Sequence, residues 1–113
     1  MPYIHIATNL PVPEHTAEAV KTQLGRAIEA IPGKSEPWLM VRVSADEPLW
    51  FAGSDAPAAI AQVNLYGSAD ASDYDTLTGR ITDILDGLLS IDPARIYVQY
   101  TETEHWGWNG RNF

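Results

Sequence analysis

Pro2 stands directly behind Met1 and opens a stretch of strand-like alternation, Pro2-Tyr3-Ile4-His5-Ile6. With Met1 removed, Pro2 presents a secondary amine at the start of a buried strand, a base built from backbone atoms and held rigid by the chain behind it. An ordinary α-amino group titrates near ~8. Burial disfavours its charged form and moves it toward the range useful for proton transfer at neutral pH. If Met1 stays, the same nitrogen is an amide and has no such chemistry. Met-Pro starts also arise by chance, so the surrounding elements have to supply the case. Lys34, just after Pro32-Gly33, is the second group of interest, because a fixed positive charge steadies an oxygen that gains negative charge. Taken alone, a lysine past a helix end equally answers the helix dipole.

Other chemistries find little support. The absence of cysteine excludes disulfides, thiol catalysis and thiolate metal sites. His5, His15 and His105 lack metal-ligand spacing, and no Gly-rich phosphate loop is present, so neither metal nor cofactor is expected. A net charge of −8 argues against nucleic acid and against anionic membrane surfaces. No apolar run approaches the ~20 residues of a membrane span, and no signal-peptide pattern opens the chain. The expectation is a soluble, cytoplasmic protein of one domain.

The elements that must position Pro2 and Lys34 emerge from a repeat. Ala17, Val20, Leu24, Ala27, Ile28 and Ile31 share one helix face, and so do Tyr74, Leu77, Ile81, Ile84, Leu85 and Leu88. Each member of the second set stands 57 residues after its counterpart in the first. Ile4 and Ile6 match Ala61 and Val63 at the same offset. The stretch Trp38 to Val43 likewise matches Arg95 to Tyr100. Each half, about 2–56 and 57–113, therefore reads strand, helix, strand, with the helix as a crossover between parallel strands. Asp70, Ser72 and Asp73 supply capping groups for the second helix. Asp75, Asp83 and Asp86 continue its acidic character as a solvated face. Leu49-Trp50-Phe51 and Trp106-Gly107-Trp108 read as short extra strands. The predicted fold is α+β: two pseudo-repeated β-α-β units in a four-stranded mixed sheet with two helices on one face. Val41, Val43, Val63, Val98 and the tryptophans suggest that the other face is apolar and is hidden by oligomerisation.

The pattern resembles the macrophage migration inhibitory factor branch of the tautomerase superfamily. The resemblance rests on Met1-Pro2, Thr8-Asn9-Leu10-Pro11, Gly33-Lys34, Phe51-Ala52-Gly53-Ser54 with Pro57, Arg95-Ile96-Tyr97-Val98, and Gly107-Trp108-Asn109 through Phe113. It implies a homotrimer with active sites at subunit boundaries, acting as a keto–enol tautomerase on phenylpyruvate-like 2-oxo acids. Carried over, Pro2 is the general base and then the acid. Lys34 and the backbone amide of Tyr66 bind substrate, Tyr97 and Gln99 come from the neighbouring subunit, and Trp38, Trp106, Trp108 and Phe113 form aromatic walls. Gln99 replaces the family's Asn, Tyr66 a branched aliphatic residue, Trp106 a smaller one and Trp38 a tyrosine, which predicts a more aromatic pocket. Ala58 to Ala61 lies where the mammalian cytokine has Cys-x-x-Cys, so its thiol chemistry cannot operate. The resemblance leaves two alternatives open: a cytokine-like factor that binds a host receptor and is released without a signal peptide, and a proline-dependent lyase or hydratase. The second is disfavoured because Ser68 to Asp73 contains no arginine.

Overall fold

A computed structural model describes all of residues 1–113. The chain runs β1 (Pro2–Thr8), α1 (Glu14–Ala27), β2 (Met40–Ser44), β3 (Ala59–Tyr66), α2 (Ala71–Leu89), β4 (Ile96–Thr103), β5 (Gly107–Trp108) and β6 (Arg111–Asn112). β1 pairs with β2 in parallel across α1, β3 pairs with β4 in parallel across α2, and β1 meets β3 antiparallel. The sheet order β2-β1-β3-β4 is the mixed four-stranded arrangement that two β-α-β units require. The offset of 57 extends to details. α1 and α2 begin at Glu14 and Ala71, and short 3₁₀ turns precede β2 and β4 at Glu36–Trp38 and Pro93–Arg95. The αL residues that follow the two helices, Gly33 and Ser90, are also 57 apart.

Alternation along the strands decides which face is buried. Ile4 and Ile6 of β1, with Ala59, Ala61, Val63 and Leu65 of β3, pack in one cluster with Val20, Leu24 and Ile28 of the first half and Leu77, Ile81 and Leu85 of α2. Each large aliphatic side chain removed from water contributes about 1.5–3 kcal/mol. Two expectations about the extended segments need correction. Val41, Val43, Val63 and Val98 all point toward this helix-side core. The open face instead carries cross-strand rows of mostly polar residues. One is Arg42-His5-Gln62-Gln99; beside it lies Met40-Tyr3-Asn64-Thr101. His5 Nε2 and Ser44 Oγ meet there at 2.8 Å, and Gln62 Nε2 donates to Gln99 Oε1 at 3.4 Å. The face is therefore not an apolar surface. Second, Leu49-Trp50-Phe51 forms no strand, only a single bridge between Phe51 and Ser54.

That bridge has a counterpart. Trp108 pairs with Arg111 in the β5–β6 hairpin, 57 residues further along. Both tight turns hold two consecutive residues at positive φ, Ala52-Gly53 (52° and 74°) and Asn109-Gly110 (54° and 87°). Such a turn favours Asn and Gly because their side chains tolerate the left-handed region. The helix ends also differ locally from a uniform periodic reading. α1 stops at Ala27, and Ile28–Ala30 tightens into a 3₁₀ turn before Pro32-Gly33. At the start of α2, Asp70 N–H donates to Asp73 Oδ2 at 3.4 Å in a capping box. Tyr100 ties α2 to β4, its hydroxyl meeting Thr78 Oγ1 at 2.8 Å and donating to the Tyr74 carbonyl at 3.0 Å.

Candidate active site

Pro2 is buried at the start of β1, beside the end of β3. The turn after α1 needs positive φ at Gly33 (79°), and it turns Lys34 back over that end of the sheet. Lys34 Nζ donates to the Tyr66 carbonyl at 2.9 Å. The Tyr66 N–H donates to the Met1 carbonyl at 3.1 Å. The N-terminal amine, here on Met1, is pulled down from 8.0 to about 6, first by burial and then by hydrogen bonding and charge from Lys34. An amine in this corner is therefore largely neutral at pH 7.

Aromatic rings close the corner. Trp38 meets Trp108 edge-to-face at 5.1 Å, Tyr66 meets Phe113 at 5.5 Å, and Phe113 stacks on Trp108 at 6.2 Å. Met1, Gly33, Trp38, Tyr66 and Phe113 line a depression of about 220 Å³. Of the residues expected from sequence, Pro2, Lys34, Tyr66, Trp38, Trp108 and Phe113 thus gather at one end of the sheet.

The others lie elsewhere in the same chain. Trp106 lines a larger cavity of about 790 Å³ on the open face of the sheet, together with Tyr3, Arg42, Asn64 and Thr101. Tyr97 is paired with Ile60 on β3. That is six residues, or about 20 Å, from the Tyr66 end. Tyr97 and Gln99 both point to the open face and are exposed. Within one chain they cannot reach Pro2.

Sequence reasoning did not assign roles to Asn9 and Arg95, which organise the opposite end. Asn9 Nδ2 donates to the carbonyls of Leu49, Asp55 and Ala56 at 2.9–3.2 Å, while its Oδ1 accepts from Ala58 N–H at 3.0 Å. Arg95 donates to the carbonyls of Pro57, Phe51, Ser54 and Ala56 at 2.9–3.2 Å and lies over the Phe51 ring at 5.2 Å. Phe51 in turn packs against Tyr97 at 4.9 Å. The family motifs around residues 8–11, 51–57 and 95–98 are thus parts of one loop clamp. The signal that could have exposed it was the repeat, since Arg95 and Asn9 are the counterparts of Trp38 and Tyr66.

The N-terminal amine, Lys34 and the Tyr66 backbone are thus brought together at one end of the sheet. No group of three or more His, Cys, Asp or Glu side chains is placed to hold a metal ion. No helix is long and apolar enough to cross a membrane.

The family model described as macrophage migration inhibitory factor (MIF) matches residues 1–113. The macrophage migration inhibitory factor of Meriones unguiculatus is 30% identical over 118 residues, covering 100% of this chain and 99% of that protein. MIF2 of Leishmania major has a crystal structure that superposes with a TM-score of 0.94 at 32% identity, covering 100% of this chain and 97% of the other. A homologue from Prochlorococcus marinus shares the fold, with a TM-score of 0.89 at 24% identity and 98% coverage of each chain.

Proposed function

The chain belongs to the macrophage migration inhibitory factor family, and on that premise we propose that it is a keto–enol tautomerase of phenylpyruvate-like 2-oxo acids, with Pro2 as its base once Met1 is removed. Membership of the family supports isomerase-type activity at a coarse level; the substrate and the residue roles are our reading. The observation that carries it is the corner where the N-terminal amine, here on Met1, is lowered to about 6 beside Lys34, and where the Tyr66 N–H donates at 3.1 Å to the Met1 carbonyl, an oxygen whose loss with Met1 frees that donor.

In the forward direction the neutral Pro2 nitrogen takes a proton from the carbon beside the ketone. The C–H electron pair becomes the new C=C bond, and the carbonyl oxygen gains the negative charge. Lys34 and the Tyr66 amide face that charge, where fixed donors in a partly dry site act most strongly. Protonated Pro2 then returns the proton to the oxygen, so the reaction consumes nothing and the amine is restored. The reverse path runs through the same groups. Tyr66, Phe113, Trp108 and Trp38 supply flat surfaces for an aryl substituent.

Tyr97 and Gln99 enter through assembly. We read the protein as a homotrimer in which a neighbouring subunit lays its own Tyr97 and Gln99 beside Pro2. Their exposed position on the open face and their distance from Pro2 within one chain support that reading.

The test compares three proteins of verified intact mass: one lacking Met1, one retaining it, and a processed Pro2→Gly variant. Phenylpyruvate tautomerisation should fall by about 10²-fold or more in both altered proteins. Equal rates in all three would remove Pro2 from the mechanism.

A further inference from the structure

Gly25 is the one helical glycine whose missing side chain has a visible reason. A Cβ there would stand 2.5 Å from Cδ and 2.9 Å from Cγ of Glu36, and closer still to its Oε2. Gly79 and Gly87 of α2 have nothing within 4 Å of the same position. Gly weakens a helix interior relative to Ala. Gly25 is nonetheless buried in α1, at the point where a neighbouring side chain already fills the space. Glu36 thus rests its side chain on bare helix backbone.

That seat lies inside the connection that builds the candidate site. Glu36 opens the 3₁₀ turn Glu36–Trp38, two residues after Lys34. Trp38 N–H donates to the Ser35 carbonyl at 3.1 Å and Leu39 N–H to the Glu36 carbonyl at 3.0 Å. Pro37 fixes one of the torsions between Glu36 and Trp38. A displacement at Glu36 is therefore carried to the Trp38 ring, one wall of the corner. Lys34 has an anchor of its own in the Tyr66 carbonyl. The repeat shows what the seat replaces. Thr82 and Pro93 stand at the positions 57 later, and there Arg95, the counterpart of Trp38, grips four carbonyls directly. An indole has a single donor and no such grip.

Resting on the tautomerase reading, we propose that Gly25 and Glu36 are positioning residues for the substrate's aryl group: the seat of Glu36 on α1 holds the turn that presents Trp38 to the site. They act on the wall and leave the proton-transfer groups where they are.

The experiment reads the ring separately from turnover. In processed protein the Trp38 indole ¹H–¹⁵N resonance, assigned with Trp38→Phe, is followed in Gly25→Ala, Glu36→Ala and the double variant. KM and kcat for phenylpyruvate are measured on the same proteins. Gly25→Ala favours the helix itself and should keep the fold. Either change empties the seat, so each should move the resonance. Each should also raise KM about three- to tenfold with kcat within about twofold, and the double variant should match the singles rather than multiply them. An unmoved resonance, effects that multiply in the double variant, or an unchanged KM in active protein overturns the proposal. If the parent protein shows no turnover, the tautomerase reading fails by itself, and the resonance still decides whether the seat positions Trp38.

Discussion

The repeat sets two ends of the molecule against each other, contact for contact. At one end Asn9 bonds the Ala56 carbonyl at 2.9 Å, and the Arg95 guanidinium covers Phe51 at 5.2 Å. At the other end the residues 57 later or earlier make the equivalent contacts with rings alone: Tyr66 meets Phe113 at 5.5 Å and Trp38 meets Trp108 at 5.1 Å. Lys34 has the fully buried Ile91 as its counterpart in the other half. At the Asn9 end the chain is continuous through Ala56-Pro57-Ala58. At the Pro2 end the matching positions are Phe113 and Met1, which line one depression without being joined. The same backbone plan therefore yields a loop locked by hydrogen bonds at one end and an open corner with an amine, a lysine and aromatic walls at the other. On the proposed function, the first end serves stability and the second serves binding.

The sharpest way to break this contrast is to exchange the charges. Lys34→Gln should lower kcat/KM by about 10²–10³ and should also move the acid limb of its pH profile upward. Lys34 disfavours a protonated amine in this corner, as it does for the Met1 amine here, so without it the amine pKa rises and less neutral base exists at pH 7. Arg95→Gln, its charge standing at the far end, should leave the position of that limb where it was. Stability should respond the other way round. Asn9→Ala removes four hydrogen bonds and leaves buried Ala58 N–H without its acceptor, at a cost of about 2–3 kcal/mol in urea denaturation. Phe113→Ala should cost less, about 1 kcal/mol, since it removes an exposed stacked ring. An equal loss in the two would erase the distinction between a structural and a binding end. The smallest effect tests the matched turns: Ala52 sits at φ 52°, so Ala52→Gly should stabilise by about 0.5–1 kcal/mol. Asn109→Gly, at φ 54°, should change little because Asn already tolerates that conformation.

Much of this plan is legible in the residues because amphipathic helices announce their buried face. The spacing from Ala17 to Ile31, repeated from Tyr74 to Leu88, fixes two helices at one offset, and the strand pairing follows from crossover geometry. The phase of an edge strand is harder. Val41 and Val43 alternate with Met40 and Arg42, and nothing local says which pair faces the helices; the structure turns the valines inward and leaves the open face polar. Trp50 in Leu49-Trp50-Phe51 suggests a strand by residue type, yet extended chain needs a partner edge, and within this chain it finds only the Phe51–Ser54 bridge. The site divides in the same way. Pro2 and Lys34 are visible by type, whereas Lys34 reaching the Tyr66 carbonyl joins residues 32 apart and depends on the turn at Gly33. Asn9 and Arg95 look like ordinary loop residues until the carbonyls they gather are seen.

The mechanism depends on the state of one nitrogen, and ¹⁵N NMR of processed protein labelled at proline reads it directly. Titration of the Pro2 nitrogen should show a pKa well below the ordinary α-amino range near ~8, rising in Lys34→Gln. A nitrogen that titrates at the ordinary value, or does not move when Lys34 is replaced, would contradict it.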